Sequence, residues 1–372
     1  MNYDDDFEEN IPQTATSDNT DKKCPSCGGS LSYSPGDKKL VCEYCGHEED
    51  VGEVQSSRQV VMEIPIEKAD EMASKITWGD EKKSVKCKSC GASAIYDSSK
   101  ISDNCPYCDA PLVTDQNQEK GMAPQGICPF TVDKIQAQKK FKEWLNDLWF
   151  APNDVVKKAI GGDINGIYAP YWSFDSQVSA KYNGEYGKDR TVTDSKGNRR
   201  KKTDWYPCSG VIHHFFDDYL MQASKKDNAD LIKEVEPFDT AHCVPYKPEY
   251  VANFIAEQYA IGLKDSWEQA QENMRKDEVP ELVRKDIIQK HGADHARIRG
   301  ELDIRFKDNK FKYLLLPLWL SSYRYGGKVY HFVVNGQSGK ISGDRPYSAI
   351  KIFFAIVAAI AFVAFVMYIF ND

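Results

Sequence analysis

The sequence has no excess of basic residues. It contains 56 Asp and Glu against 48 Lys and Arg, which gives a formal net charge of -8 at pH 7. Residues 1–22 contribute seven of the acids against Lys22, so the remainder is nearly balanced. Proteins that bind nucleic acid usually carry a large positive surface. We therefore expect no such surface overall, although a local basic patch stays open.

The sequence also lacks a recognisable catalytic constellation, and we expect no enzyme. No set of Ser, His and Asp residues suggests nucleophilic catalysis. Five candidates for a further metal or nucleophilic site match no ligand spacing: Cys208, His213, His214, His242 and Cys243. GQSGK at 336–340 fails as a phosphate loop because Val334 and Ile341 replace the required Gly and Ser/Thr. We predict a hairpin turn there.

The sequence likewise lacks the cysteine pattern of a disulfide framework and the apolar segment of a signal peptide. The first ten residues, MNYDDDFEEN, are acidic and polar, so we expect no signal peptide. The 11 cysteines are odd in number, and eight fall in C-x2-C pairs, leaving Cys128, Cys208 and Cys243 alone. This usage favours a reducing compartment with metal-bound thiolates. The role of the three single cysteines stays open.

The paired cysteines form an internal repeat. The spacing C-x2-C-x14-C-x2-C occurs twice, offset by 63 residues. Each C-x2-C turn points two sulfurs at one ion, and a second turn completes a tetrahedron whose closed shell leaves no position for water. We predict two structural Zn²⁺ sites with four thiolates each. The predicted ligands are Cys24, Cys27, Cys42, Cys45, Cys87, Cys90, Cys105 and Cys108.

The central region predicts an α+β domain with an antiparallel sheet. Alternating apolar residues indicate strands at 166–187 and 316–325, which share a Pro-x-Trp start, and helical spacing indicates a helix at 131–149. Further helices are predicted at 229–235, 248–261 and 264–291. The expected multi-domain order is a disordered acidic tail (1–22), zinc ribbon 1 (23–50), a connector (51–82), zinc ribbon 2 (83–115), the α+β domain (120–346) and a transmembrane helix (350–370).

The last segment is a run of 19 residues without charge, Pro or Gly, at 352–370. At about 1.5 Å per residue it matches a bilayer core of about 30 Å. Arg345 and Lys351 precede it, and the positive-inside rule then places the globular part in the cytoplasm. We expect a tail-anchored, single-pass protein of the cell membrane.

A basic cluster at Arg199, Arg200, Lys201 and Lys202 follows the turn signal DSKG. Two interpretations stay open. The cluster is a solvated hairpin tip, or it contacts anionic lipid headgroups or an acidic partner.

The order of motifs resembles bacterial TFIIB-type zinc-ribbon membrane proteins of the YdjG-like kind. The resemblance rests on the two ribbons, PFTVDK, IYAPYWSFD, PLWLSSYRYGGKVYHFVVNGQSGKISGDRP and the terminal apolar run. It implies zinc at the eight paired cysteines and membrane anchoring of protein partners in an envelope-stress response. Partners of the PspA or SPFH type are implied because some relatives are encoded beside such proteins.

Together these features predict a membrane-anchored adaptor that docks protein partners at the cytoplasmic membrane through its ribbons. The alternative is a membrane-tethered regulator that binds nucleic acid through Arg199, Arg200, Lys201 and Lys202. The acidic balance disfavours this alternative.

Overall fold

The computed structural model describes residues 23–51, 61–71, 82–86, 93–97, 102–104, 111–113, 122–152, 154–155, 164–193, 199–224, 229–252 and 254–370. Side chains are not described for 82–86, 93–97, 102–104 and 111–113. The predicted tail at 1–22 and the four cysteines of the second ribbon lie outside these residues.

Residues 23–51 form a small antiparallel sheet, here called ribbon 1. Its strands are β1 (Leu31–Ser34), β2 (Lys39–Cys42) and β3 (Glu48–Asp50), in the order β1-β2-β3. Strand alternation turns Leu31, Tyr33 and Leu40 inward, where each is at most 4% exposed. So few apolar side chains make a very small core, and a unit of this size needs a metal or another support to fold.

A second, much larger sheet contains twelve of the described strands. These are β4 (Ile64–Pro65), β5 (Lys82–Lys86), β6 (Ser93–Asp97), β9 (Gly126–Ile127), β10 (Asn165–Thr193), β11 (Arg199–Gln222), β12 (Val244–Pro245), β13 (Ile255–Glu257), β14 (His295–Ile298), β15 (Asp303–Tyr325), β16 (Lys328–Asn335) and β17 (Ile341–Gly343). Two further strands, β7 (Ser102–Asn104) and β8 (Pro111–Val113), pair only with each other among the described residues.

Three long strands organise this sheet. β10 lies between β11 and β15 and runs antiparallel to both. The two predicted Pro-x-Trp strands therefore lie side by side. Their tryptophans anchor the sheet to the surrounding segments, because the Trp172 indole donates to the Ile261 carbonyl at 2.9 Å and the Trp319 indole to the Val132 carbonyl at 2.8 Å. Both strand predictions are confirmed.

Five helices are described: α1 (Lys134–Asp147), α2 (Ala229–Glu234), α3 (Leu263–Asn273), α4 (Val279–His291) and α5 (Ala349–Phe370). A π-helical turn at Met274–Glu278 joins α3 to α4, and Pro280 is the second residue of α4. Gly292 ends α4 with φ of 54°, a left-handed cap that glycine adopts readily. α1 begins two residues later than Thr131 would place it, because Asp133 and Gln136 form a reciprocal capping box.

The prediction of an α+β domain is wrong, since the described chain is mostly β. β10, β11 and β15 run far beyond the predicted hairpins. The predicted helix at 248–261 is instead a 3₁₀ turn at Pro248–Val251 followed by β13. Hydrogen bonding explains the difference, because β13 pairs in parallel with Ile167 and Tyr168 of β10. That tertiary pairing overrides a helical preference. The remaining domain boundaries stay predictions.

The predicted transmembrane helix is contradicted as well. Within the part of the chain that the structure describes, no helix is both long and apolar enough to cross a membrane. A span needs about 20 consecutive apolar residues. The predicted tail anchor and single-pass membrane localisation are corrected with it.

A disulfide joins Cys128 to Cys243, 115 residues apart. The two cysteines directly flank the paired strands β9 and β12, where Ile127 lies opposite Val244. Both side chains are buried. Cysteine spacing alone argued against a disulfide, so this bond corrects that expectation for two of the three single cysteines. Cys208 is a free, half-buried thiol on β11.

Cys243→Ser is expected to destabilise the large sheet by about 2–4 kcal/mol, the usual contribution of a disulfide that closes a long loop. Urea unfolding under non-reducing conditions, followed by tryptophan fluorescence, measures this. Cys208→Ser is the matched control and should change the midpoint little. Equal midpoints for wild type and Cys243→Ser would contradict the expectation.

Candidate metal centre and adjoining cavity

Two backbone turns shape the cysteine cluster of ribbon 1. In the first, the Gly28 amide donates to the Cys24 carbonyl at 2.8 Å; in the second, the Gly46 amide donates to the Cys42 carbonyl at 2.9 Å. Gly28 and Gly46 have φ of 75° and 71°, a left-handed conformation that favours glycine. The two C-x2-C segments therefore fold into equivalent turns at the same end of ribbon 1.

The turns bring four sulfurs together. Cys24 Sγ lies 3.5 Å from Cys45 Sγ, and Cys27 Sγ lies 3.5 Å from Cys42 Sγ. All four lie within 4.8 Å of one another. A tetrahedral ion with metal–sulfur bonds of about 2.3 Å needs sulfurs about 3.8 Å apart. The donor set and its spacing therefore fit a metal ion.

Hydrogen bonding within the cluster lowers the pKa of one thiol and raises the pKa of another. Burial acts to raise the pKa of Cys24, but hydrogen bonds from the amides of Ser26 and Cys27 outweigh it and lower the pKa to about 6. For Cys45, a hydrogen bond from the His47 amide lowers the pKa, but the neighbouring thiols of Cys27 and Cys24 raise it to about 12. Four sulfurs this close cannot all ionise without a cation, so metal binding must release protons.

The second cysteine set, Cys87, Cys90, Cys105 and Cys108, lies outside the described residues. The strands that flank it are described, and two of their residue pairs match pairs of ribbon 1 shifted by 63 residues. Lys86 lies opposite Ser93 as Lys23 lies opposite Ser30. Asn104 lies opposite Pro111 as Val41 lies opposite Glu48. The two repeats share these two strand pairs, but β6 pairs with β5 and β13 among the described residues, whereas its counterpart β1 pairs with β2.

Ribbon 1 packs against the large sheet through Tyr33. The Tyr33 amide donates to the Ala252 carbonyl at 3.5 Å, and its ring meets the edge of Tyr250 with centroids 5.5 Å apart. Both tyrosines are buried, at 4% and 6% exposure. The cysteine cluster thus lies in the same small sheet as Tyr33, whose side chain forms the contact with the body of the protein.

A cavity of about 750 Å³ opens beside this contact. Ribbon 1 forms one wall with Tyr33 and Val51, and the body forms the other with aromatic and proline side chains such as Phe130 and Phe238. Apolar cavities of this size that carry a few polar groups are typical ligand or peptide sites. The sequence did not predict the cavity, because its walls come from segments about 200 residues apart.

The polar rim of the cavity contains Asp239, His242 and Gln337. His242 Nδ1 lies 2.8 Å from the Asp239 carboxylate. The Gln337 side chain accepts from the Asp239 amide at 3.0 Å and donates to its carbonyl at 3.1 Å. These bonds fix the loop that follows Phe238. The predicted turn at 336–340 supplies Gln337 and joins β16 to β17, so that prediction is confirmed.

The other single candidates do not assemble with His242. His213 and His214 lie on β11 with Cys208, and Cys243 is held in the disulfide. Among the described residues, two groups have metal-binding geometry: the four cysteines of ribbon 1, and Asp175 with Asp217 and Asp218.

The aspartate group is an ion-pair network around a buried lysine. Lys312 Nζ lies 2.5 Å from Asp218, 3.4 Å from Glu63 and 3.5 Å from Asp175. Asp175 lies where the register of β10 shifts against both neighbouring strands. The Asp218 amide, at φ of 52°, donates to Asp175 at 2.7 Å. The lysine ammonium already lies among these carboxylates, so we interpret the group as an ion-pair network and not as a metal site.

Ionisation of Asp175 is expected to lower the free energy of unfolding as the pH rises from about 4 to 7. Its burial raises the pKa to about 6, despite the opposing effects of the Asp218 amide and Lys312. The unfolded value is about 3.9, so the folded state holds the proton more tightly and loses this advantage through pH 6. Relative to Asp175→Asn, wild type should lose stability over this range in urea unfolding. Exposed Asp303→Asn is the control, and parallel pH profiles for wild type and Asp175→Asn would contradict the expectation.

The predicted basic cluster lies at the start of β11. All four residues are exposed: Arg199, Arg200, Lys201 and Lys202. Lys202 lies opposite Arg190 on β10. The residues form the outer end of a long hairpin and do not line the cavity.

Comparison with known proteins gives a distant relative. The chain is similar to the uncharacterized protein YdjG of Bacillus subtilis (strain 168), with 25% identity over 348 residues that cover 89% of this chain and 91% of YdjG. No protein-family model and no solved structure matches the chain. The similarity assigns no function.

Proposed function

We propose that this protein is a docking protein, stabilised by zinc, that binds an extended, apolar segment of a protein partner. The observation that carries the proposal is the cavity beside ribbon 1. One wall comes from a unit held by the cysteine cluster and the other from the large sheet. A partner segment in this cavity would bury aromatic or proline side chains against Tyr33, Phe130 and Phe238.

Zn²⁺ is the proposed metal, because four thiolates in a tetrahedron select zinc or iron–sulfur centres and zinc is the usual structural ion. A second zinc at Cys87, Cys90, Cys105 and Cys108 is part of the proposal. The shared strand register around those cysteines supports it. Metal analysis of the purified protein should give two zinc ions per chain. One zinc ion per chain would contradict the second site, and iron in place of zinc would contradict the proposed metal.

Selection of a random peptide library on the full-length protein tests the docking role. Selected peptides should carry aromatic or proline residues and bind with measurable heat by calorimetry. Thr131 is exposed and lines the cavity. Thr131→Trp should fill that space and weaken binding at least tenfold, whereas the matched Thr131→Ser should not.

Two results would overturn the proposal: no peptide is enriched, or enriched peptides bind Thr131→Trp as well as wild type. The PspA- or SPFH-type identity of the partner stays a proposal from resemblance alone, tested by co-purification. The nucleic-acid alternative predicts salt-dependent binding that is lost with the charges of Arg199, Arg200, Lys201 and Lys202. No observation on the described residues favours it.

A further inference from the structure

We infer that residues 1–12 of this chain bind in the cavity beside ribbon 1 and compete there with the partner segment. This inference rests on the proposed docking role of the cavity. It assigns the cavity a resident occupant, the amino-terminal segment of the same chain.

The first argument is reach. Lys23, the first described residue, pairs with Ser30, three positions before the cavity residue Tyr33. Three strand residues span about 10 Å. The 22 residues before Lys23 can extend over about 70 Å. Residues 1–12 therefore reach the cavity from their own attachment point with length to spare.

The second argument is the distribution of apolar side chains in residues 1–22. The large ones after Met1 are Tyr3, Phe7, Ile11 and Pro12. Residues 13–22, QTATSDNTDK, contain no large apolar side chain. Residues 1–12 therefore carry the side chains that can enter the cavity, and residues 13–22 are the polar sequence that joins them to ribbon 1. Aromatic, aliphatic and proline side chains are the types that an aromatic cavity accepts.

The third argument is charge. The five acids within residues 4–9 need a place in solvent or beside cations. The charged residues of the cavity lining are Lys38, Asp50 and Asp239, and Asp239 is hydrogen-bonded to His242. The lining therefore offers the acids of this segment no net attraction. The acids stay in solvent at the opening, and apolar burial supplies the attraction.

Tethering makes weak binding effective. A segment joined to its site through a short linker has an effective concentration of about 1 mM. If the free segment binds with a Kd of about 0.1 mM, the tethered segment fills the cavity about nine-tenths of the time. An external peptide then binds about tenfold more weakly, since its site is free only in the remaining fraction.

The test uses the full chain, a variant without residues 1–12, and a fluorescent peptide of residues 1–12. The labelled peptide should bind the shortened protein with a Kd of about 0.1 mM, and Thr131→Trp in that protein should weaken binding at least tenfold. Deletion of residues 1–12 should tighten the binding of a library-selected peptide about tenfold. Tyr3→Ala/Phe7→Ala/Ile11→Ala should act like the deletion, whereas the tether control Thr14→Ala/Thr16→Ala/Ser17→Ala should act like wild type.

The outcomes separate this inference from the proposed function. If selected peptides bind in the cavity but deletion changes nothing and the labelled peptide does not bind, the inference is wrong and the docking role stands. If the labelled peptide binds but no selected peptide does, the cavity binds residues 1–12 and the proposed docking of a partner is wrong. If neither binds, both proposals fail.

Discussion

Removal of metal is expected to unfold ribbon 1 and to leave the large sheet folded. The cysteine cluster should supply about 10–16 kcal/mol of folding free energy, as structural zinc does in comparably small units. Three inward side chains, Leu31, Tyr33 and Leu40, cannot replace that contribution. Cys27→Ser/Cys42→Ser leaves two thiolates, too few to close the shell. Hydrogen exchange should then show full loss of protection in β1 and β2 and retained protection in β10 and β15.

Ser26→Ala is the matched control for the cysteine variant. It removes the contact between the Ser26 hydroxyl and His47 in the same turn but keeps all four sulfurs. Protection in β1 and β2 should then remain. Retained protection in Cys27→Ser/Cys42→Ser would show that packing against Tyr250, and not the metal, holds ribbon 1.

Lys312→Met is expected to cost about 3–5 kcal/mol of unfolding free energy, because it leaves the carboxylates of Asp175 and Asp218 without their buried cation. The Lys312 side chain is 9% exposed and lies within ion-pair distance of three carboxylates. Lys310 contacts Glu63 at 3.0 Å but is 45% exposed. Lys310→Met should therefore cost at most about 1 kcal/mol, as exposed pairs do.

Urea unfolding at pH 7 compares the two lysine variants. Charge and packing are separated by Lys312→Met/Asp175→Asn/Asp218→Asn, which removes the opposing charges together and should recover part of the loss. Equal costs for Lys312→Met and Lys310→Met would contradict the account of the network. No recovery in the triple variant would assign the loss to packing.

Local chemistry made the cysteine cluster of ribbon 1 predictable. Two C-x2-C segments carry their geometry in the turn itself, so their spacing specified the ligands of ribbon 1 before the fold was known. The strands around Trp172 and Trp319 were predictable for a similar reason, since alternation along one segment reports its buried face. The hairpin turn at 336–340 followed from its own residues.

Features made by distant segments were not predictable. Lys312 and Asp175 lie 137 residues apart and meet because β10 pairs with β15. Cys128 and Cys243 meet across a short strand pair that their spacing does not encode. The cavity needs ribbon 1 docked on the body.

The apolar run at 352–370 was predicted to span a membrane, and no helix of the described residues is long and apolar enough to do so. Pairing of β13 with β10 could not be read from residues 248–261. In residues 248–261 a local pattern was compatible with more than one structure.

The most direct test of the account measures peptide binding with and without the metal centre. A library-selected peptide is titrated into the full-length protein, into Cys27→Ser/Cys42→Ser and into Ser26→Ala. Because ribbon 1 forms one wall of the cavity, binding should fall at least tenfold in the cysteine variant and stay unchanged in Ser26→Ala. Equal affinity for all three proteins would contradict the claim that the metal-held ribbon builds the docking site.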